Sequence, residues 1–229
     1  MLTFEKVALA QGTFRLSADF TVPSGVTAVI GPSGSGKSTL LAAIAGFLEP
    51  LSGRVLWNGE VLTGRPPGQR PVSMLFQDNS LFPHLTVAQN VGLGVRPDLK
   101  LLDAQWQAVE KALSQVDLAG LGSRKPGALS GGQQSRGALA RVLVSDRPLV
   151  LLDEPFAALG PALKTEMLKL VQDILVAAGK SVMIVTHDPS DAQSVADQVV
   201  LVVAGQAMAP IPTRDIFENP PEALRAYLG

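Results

Sequence analysis

The chain has 229 residues, 46% hydrophobic and 17% charged, a composition that is typical of a folded globular protein and excludes extended disorder. Its 19 basic and 20 acidic residues give a formal net charge of −1, so no overall basic field favours binding to nucleic acid. There are no cysteines, which excludes disulfides and thiolate zinc sites and fits a cytosolic setting.

The chain opens with predicted antiparallel strands, in the first 22 residues and again over residues 53–62, where Asn58-Gly59 predicts a tight turn. No basic segment followed by an apolar core precedes them, so we predict no signal peptide. The longest apolar run, residues 40–48, is interrupted by a glycine and has about half the length of a membrane span. We therefore expect the chain itself not to cross a membrane.

A P-loop motif follows the first strands. Residues 31–39 satisfy the pattern G-x-x-x-x-G-K-[ST], with a predicted strand, Val26–Ile30, before them and a helical pattern after them. A chance glycine-serine turn is the alternative, but this register favours a phosphate cradle in which backbone amides and a helix N-terminus face the anion. Lys37 would reach the β- and γ-phosphates of ATP, and Ser38 would ligate Mg²⁺. The predicted cradle consists of Gly31, Pro32, Ser33, Gly34, Ser35, Gly36, Lys37, Ser38 and Thr39.

Further predicted strands lie at residues 72–76, 149–152, 181–186 and 199–203. Several show little alternation of polar and apolar residues, as expected of parallel strands that are buried on both faces. Helical patterns separate them, and Pro161 could start one of these helices. The helix after the P-loop has an apolar face formed by Leu40, Leu41, Ile44, Phe47 and Leu48. This order predicts an α/β fold with a mostly parallel core sheet and an N-terminal antiparallel β subdomain.

Residues 78–131 contain no convincing strand and are predicted to form a helical subdomain inserted into the α/β core. Its clearest helix would begin behind Asp103 as a cap. The apolar residues of that helix, at 4-3-4-3 spacing, are Leu102, Trp106, Val109, Leu113 and Val116. We expect residues 1–229 to be one domain that contains this insertion.

The apolar strand at 149–152 ends in two acids, Asp153 and Glu154. In P-loop enzymes an aspartate at such a strand end orients the Mg²⁺ site. The next carboxylate would lie beside the γ-phosphate, where it could act as general base towards the attacking water. An acidic helix cap or a solvated loop would explain the two acids equally well if they stood alone. Together with the P-loop, they favour a hydrolytic site.

With Leu129-Ser130-Gly131-Gly132-Gln133, these motifs resemble the set found in ATP-binding subunits of ABC transporters, in the same order and spacing. The resemblance implies the ABC ATPase form of the P-loop NTPase fold. It implies that Gln77 touches Mg²⁺ and the lytic water and that His187 contacts the γ-phosphate. Taken alone, Gln77 would be a loop amide and His187 a capping residue. The implied sets are Ser130, Gly131, Gly132 and Gln133 for nucleotide, Glu154, His187, Gln77 and Lys37 for catalysis, and Ser38, Gln77 and Asp153 for the metal.

The signature at 130–133 is also a second glycine-rich helix entry, and thus a second anion cradle. One nucleotide does not need two such cradles from one chain, so we predict a head-to-tail homodimer in which each signature closes the partner's P-loop. The resemblance implies further partners, namely transmembrane permease subunits and, through them, a solute-binding protein. It implies a peripheral location on the cytoplasmic face of the inner membrane, and no nucleic-acid partner.

Residues 70–77 and 81–94 resemble the ATP-binding subunits of thiamine importers, which implies ATP-driven uptake of thiamine. Residues 25–30 also resemble molybdate importers, so a molybdate/sulfate-type or other small-solute importer is the alternative. The ATPases of molybdate importers usually carry an extra sensing domain, for which this chain has no room. A soluble non-transport ABC ATPase would usually need a coiled-coil insertion or a second cassette. The apolar segment 81–85 is predicted to dock on the permease.

Two departures from the family pattern leave alternatives open. Gly160 ends the run Ala157-Ala158-Leu159-Gly160, where the family usually has an aspartate that helps to couple two sites. Either coupling is weak, or the glycine backbone, which tolerates unusual angles, makes the contact alone. The aromatic residue that usually stacks on adenine should fall near Gln11. Phe14 could replace it or could be a core residue of its strand.

Overall fold

The computed structural model describes residues 1–76 and 81–228. Its strands, in chain order, are β1 (Leu2–Gln11), β2 (Phe14–Val22), β3 (Val26–Ile30), β4 (Ser52–Trp57), β5 (Glu60–Val61), β6 (Val72–Leu75), β7 (Leu149–Asp153), β8 (Ser181–Val185), β9 (Gln198–Val203), β10 (Gln206–Ala207) and β11 (Ile211–Pro212). Its helices are α1 (Lys37–Ala45), α2 (Val87–Gly92), α3 (Asp103–Gln115), α4 (Gly131–Val144), α5 (Pro161–Val171), α6 (Pro189–Val195), α7 (Thr213–Glu218) and α8 (Glu222–Leu228). A π-helical segment, Gln172–Val176, continues α5. Within this part of the chain, no helix combines the length and hydropathy needed to cross a bilayer.

The strands of the described residues form one mixed sheet with two halves. In the first half β1 pairs antiparallel with β2 and β4, and β4 pairs antiparallel with β5, so the predicted antiparallel strands are confirmed. The turn between β4 and β5 holds Asn58 at a φ of 49° and Gly59 at 85°, the pair of positive φ values that a tight hairpin needs. The two-residue strand β10 joins the halves, parallel to β2 and antiparallel to β9.

The second half is parallel and carries the polar loops. Its order is β9-β3-β8-β7-β6, and each neighbouring pair is parallel. Strands β3 and β8 are buried at every residue, which agrees with the continuous apolar runs that predicted them. Because parallel strands end at the same edge of a sheet, the segments that follow β3, β7 and β8 lie next to one another.

The helices between β6 and β7 pack together, with α4 against both α2 and α3. Helix α3 begins at Asp103, so the prediction that Asp103 lies before the helix as its cap is wrong by one residue. The side chain of Gln105 instead reaches back and accepts the amide of Leu102 at 2.9 Å. Leu102 itself is exposed, whereas Val109, Leu113 and Val116 enter the core as predicted.

Helix α1 ends earlier than its apolar pattern predicted. Gly46 adopts a left-handed conformation (φ 89°), and its amide closes the last turn on the carbonyl of Ala42. The chain therefore turns away before Phe47, which is 59% exposed and does not belong to the buried face of the helix.

The guanidinium of Arg70 holds the carboxyl end of α1. It donates to the carbonyls of Ala43 at 2.6 Å and Ile44 at 3.1 Å, and to the carboxylate of Glu49 at 2.7 Å. The Arg70 side chain is 0% exposed, so these carbonyls are satisfied by a buried cation. The helix that begins at the P-loop is thus fixed at its far end by a residue just before β6.

We expect Arg70→Met to lower the free energy of unfolding by about 2–4 kcal/mol, because the helix carbonyls lose their buried donors. The measurement is equilibrium unfolding in urea, followed by circular dichroism. Arg54→Met is the matched control, because Arg54 pairs with Glu5 but is 60% exposed. The control should lose less than about 1 kcal/mol. Equal losses in the two variants would contradict the capping role of Arg70.

Candidate functional site

The loop between β3 and α1 can hold only glycine at two of its positions. A Cβ atom on Gly31 would lie 2.0 Å from the carbonyl oxygen of Val202, and one on Gly36 would lie 2.6 Å from the ring of Phe14. Both glycines also have positive φ angles, 149° and 104°. The loop thereby leads into the N-terminus of α1 with its backbone closely packed at both glycines.

The interior of this loop contains polar groups that suit an anion. The Lys37 ammonium is buried and donates to the carbonyls of Gly31 at 2.7 Å and Pro32 at 2.9 Å. Burial lowers the pKa of Lys37, although Glu154 and Asp153 oppose this effect. Among the described residues, the Ser35 hydroxyl is buried without a hydrogen-bond partner. A buried cation and an unsatisfied hydroxyl beside a helix N-terminus fit a phosphate group.

Asp153 lies at the end of β7, directly beside the start of α1. The Ser38 hydroxyl donates to its carboxylate at 3.2 Å. Burial raises the pKa of Asp153 and the neighbouring Glu154 adds to this, while Ser38 and Lys37 oppose it. A hydroxyl and a carboxylate side by side are hard oxygen donors, the ligand chemistry that Mg²⁺ prefers. The two residues therefore fit the predicted metal site.

Glu154 is held in a strained backbone conformation. Its φ is 45°, a left-handed value that costs a residue with a side chain on the order of 1–3 kcal/mol. The Glu154 amide bonds to the carbonyl of Val185 on β8 at 3.1 Å, which stabilises this turn. One carboxylate oxygen lies 3.0 Å from Nδ1 of His187, whose side chain is 60% exposed. The strained turn therefore brings the two predicted catalytic side chains into contact.

Lys37, Ser38, Glu154 and His187 line one open cleft with a volume of about 800 Å³, whereas Gly31, Pro32, Ser35 and Asp153 are not among its lining residues. Phe14 and Gln11 also line it, so the aromatic ring considered for adenine faces the cleft while packing against the edge of the core. Gln77 lies outside the described residues. The predicted residues that line the cleft are Ser33, Gly34, Gly36, Lys37, Ser38, Thr39, Glu154 and His187.

The signature residues do not line this cleft. Ser130 caps α4, and its hydroxyl accepts the amide of Gln133 at 3.3 Å while the Gln133 side chain accepts the amide of Ser130 at 3.0 Å. Ser130 and Gly131 are exposed, and a Cβ atom on Gly131 would meet nothing within 4 Å. The second glycine-rich helix entry therefore faces outward in a single chain.

The backbone at Gly160 is ordinary. Gly160 precedes α5 in an extended conformation (φ −65°, ψ 157°), and a Cβ atom there would meet nothing within 4 Å. These angles do not require glycine, and the two alternatives, weak coupling or a contact made by the backbone alone, stay predictions. An aspartate would fit the same position and would cap the helix.

Sequence reasoning missed a groove at the end of α1, whose lining combines apolar side chains with the charged residues Arg141, Asp146 and Arg147. Phe47 and Phe76 are both exposed, with ring centroids 6.1 Å apart, and they line a cavity of about 520 Å³ together with Met74, Leu93 and Val95. The glycine at position 46 was the sequence signal that could have predicted an outward Phe47, because glycine is common just after the end of a helix.

In the segment 81–85, Phe82 is exposed as a docking residue would be. Leu81 instead packs against Gly137, where a Cβ atom would lie 3.3 Å from it. The surface that this segment offers to a partner therefore does not include all of residues 81–85.

Gly36→Ala should destabilise the protein by more than about 1 kcal/mol, because the new methyl group meets Phe14 at a positive φ. Gly160→Asp should be neutral or should gain a few tenths of a kcal/mol from the new helix cap. Thermal unfolding of the two variants beside the parent measures both effects. A Gly36→Ala protein as stable as the parent, or a Gly160→Asp protein clearly less stable than the parent, would contradict the backbone geometry described at that position.

Residues 17–157 match the sequence profile of the ABC transporter family. The thiamine import ATP-binding protein ThiQ of Ruegeria sp. (strain TM1040) is 57% identical over 230 residues, which cover 100% of each chain. The protein of the same name from Yersinia pseudotuberculosis serotype I is 46% identical over 220 residues, covering 96% of this chain and 93% of its own.

A solved structure has the same fold. It is the crystal structure of the ADP conformation of MJ1267, an ATP-binding cassette of an ABC transporter. The two chains superpose with a TM-score of 0.86 and 27% sequence identity, covering 100% of this chain and 98% of the other. The predicted P-loop α/β fold is thereby confirmed.

Proposed function

Because this chain belongs to the ABC transporter family, we propose that it is the ATP-hydrolysing subunit of an importer whose solute is thiamine. ATP-binding proteins of this family hydrolyse ATP coupled to transport, and the chain is an ATPase of this kind. One observation carries the proposal. A single cleft combines the P-loop with Glu154 and His187, in a chain that aligns from end to end with thiamine import ATP-binding proteins.

The cleft supports phosphoryl transfer to water. The loop amides, the α1 N-terminus and Lys37 bind the phosphates. The oxygen of a water molecule attacks the γ-phosphorus while Glu154 accepts a proton from that water. The bond to the oxygen that bridges the β- and γ-phosphates breaks, and the products are ADP and phosphate. His187 lies 3.0 Å from the Glu154 carboxylate through Nδ1, and its imidazole would stabilise the charge that develops on the γ-phosphate.

Ser38 and Asp153 are the residues that would hold Mg²⁺, with Gln77 as the third predicted ligand. When bound there, the metal supplies positive charge to the β- and γ-phosphates. The hydrogen bond between Ser38 and Asp153 keeps both oxygens at one place at the mouth of the loop, which supports this assignment.

The outward signature supports a homodimer. The amides at the start of α4 lie apart from the chain's own cleft, yet they form a second helix N-terminus suited to an anion. In a head-to-tail dimer, residues Ser130 to Gln133 of one copy would close the nucleotide site of the other, so two ATP molecules would be held between the subunits.

Glu154→Gln should bind ATP and lose turnover on the order of 10²-fold or more, because an amide cannot accept the proton. In this slow background ATP should drive dimerisation, measured by size exclusion with light scattering. Adding Ser130→Arg should abolish the dimer while a fluorescent ATP analogue still binds the monomer. Normal ATP-driven dimerisation of the Glu154→Gln, Ser130→Arg double variant would contradict the head-to-tail dimer. Turnover of the Glu154→Gln single variant within a few-fold of the parent would show that Glu154 is not the general base.

The groove that contains Phe47 and Phe76 supports docking of a permease segment at the cytoplasmic face of the membrane. Both rings are exposed, and Phe76 directly precedes Gln77, the residue predicted to touch Mg²⁺ and the lytic water. The groove lies between the end of α1 and helix α4, whose N-terminus carries the signature. A partner held there would respond to movement of the helical subdomain predicted at residues 78–131.

We expect thiamine, delivered by its binding protein, to stimulate ATP turnover of the chain reconstituted with its permease in vesicles. Phe47→Asp should leave the turnover of the isolated subunit unchanged and abolish the stimulation, because it replaces the exposed Phe47 ring with a charge that a partner would have to desolvate. Val176→Asp is the control, since Val176 is exposed but does not line the groove. Stimulation by molybdate, sulfate or another small solute in place of thiamine would overturn the substrate assignment.

A further inference from the structure

The loop that carries His187 is fixed on both sides of the exposed imidazole. Before it, the buried Thr186 hydroxyl donates to a carboxylate oxygen of Asp191 at 2.5 Å and accepts the amide of Asp188 at 3.0 Å. After it, the Asp188 carboxylate accepts the amide of Ser190 at 3.0 Å and its hydroxyl at 2.6 Å. The residues on both sides of His187 are therefore held in place by hydrogen bonds.

One cation from another element holds both aspartates of this loop. The Lys164 ammonium, on the first turns of α5, lies 3.0 Å from Asp188 and 2.8 Å from Asp191, and the lysine side chain is 18% exposed. Burial lowers the pKa of Lys164, but hydrogen bonds to Asp191 and Asp188 outweigh it, so the pKa is raised. The Ser190 hydroxyl and Lys164 lower the pKa of Asp188 to about 2, so Asp188 carries its charge at neutral pH.

The charges of this cluster depend on Lys164. Without the ammonium, two carboxylates would face each other, and the side chain of Asp191 is almost fully buried. Two like charges in such a place repel, and a buried charge without a partner is costly. We therefore expect the loop to rearrange without Lys164 and the 3.0 Å contact between His187 and Glu154 to change with it.

Lys164 also connects this loop to the turn before α5. Its backbone amide donates to the carbonyl of Gly160 at 2.9 Å, while its side chain holds the histidine loop. The next residue towards the N-terminus, Leu163, packs against α4 so closely that a Cβ atom on Gly132 would lie 2.7 Å from it. One helical turn thus contacts the Gly160 turn, the signature helix and the loop of His187.

We propose that Lys164 is a positioning residue, which holds the loop at 186–191 so that His187 stays against Glu154 and is poised for the γ-phosphate. This inference rests on the proposed ATPase function for its kinetic consequence. Its structural part, the control of the His187 imidazole by Lys164, holds or fails independently of turnover.

The kinetic test compares Lys164→Met with Lys164→Arg and with Lys169→Met, a control on the exposed side of the same helix. Lys164→Met should lower kcat for ATP on the order of tenfold with little change in KM, because a misplaced catalytic group slows the chemical step. Lys164→Arg should restore most of the loss, and Lys169→Met should lose nothing. In a His187→Ala background, Lys164→Met should cause no further loss. A full additional loss there would overturn the proposal.

The structural test uses the two histidines of the chain, His84 and His187, whose imidazole Cε1–H signals can be assigned in a proton–carbon NMR spectrum with a His84→Gln variant. Lys164→Met should shift the His187 signal and leave His84 unchanged. An unmoved His187 signal would overturn the proposal. If the signal moves but the parent protein does not hydrolyse ATP, the proposed function fails and the positioning contact stands.

Asp188→Asn is the second variant, since asparagine keeps the helix cap but removes the charge that pairs with Lys164. Asp188→Asn should move the His187 signal as Lys164→Met does. The proposal can therefore still be tested with this variant if Lys164→Met does not fold. An unchanged signal in a folded Asp188→Asn protein would count against it.

Discussion

The parallel pairing of β3, β8 and β7 is the constraint on which the site depends. Each of these strands ends in one part of the chemistry: β3 in the phosphate loop, β7 in Asp153 and Glu154, and β8 in the loop of His187. The hydrogen-bond ladder fixes the spacing of the three chain ends. No part of the cleft needs to be positioned by a long loop of its own, so residues more than a hundred positions apart meet at hydrogen-bond distance.

The cleft is also polarised before any substrate enters. The ammonium of Lys37 rests on carbonyls of its own loop, and the Glu154 carboxylate is aimed by a strained backbone that bonds to β8. Fixed groups of this kind reduce the reorganisation that a reaction requires. The strain at Glu154 and the burial of the Lys37 ammonium reduce the stability of the protein. The buried sheet and the contacts that hold the end of α1 offset this loss.

Local patterns predicted much of this architecture. The P-loop, the buried strands and the two acids after β7 can be read from short sequence windows because each depends on its immediate neighbours. The ion pair between Lys164 and Asp188 could not be predicted, since its partners lie on separate elements and no periodicity links them. Phe47 was misplaced because an apolar pattern does not show where a left-handed glycine ends a helix. The role of Gln77 stays a prediction.

The contact between Gly46 and Arg70 has a consequence for substitutions at these two positions. A Cβ atom on Gly46 would lie 2.5 Å from Nε of Arg70, so the arginine occupies the space that any other residue at position 46 would need. Conversely, a shorter side chain at position 70 would open that space and leave the carbonyls at the end of α1 without donors. The effects of substitutions at the two positions are therefore expected to be non-additive, because each residue shapes the space that the other occupies.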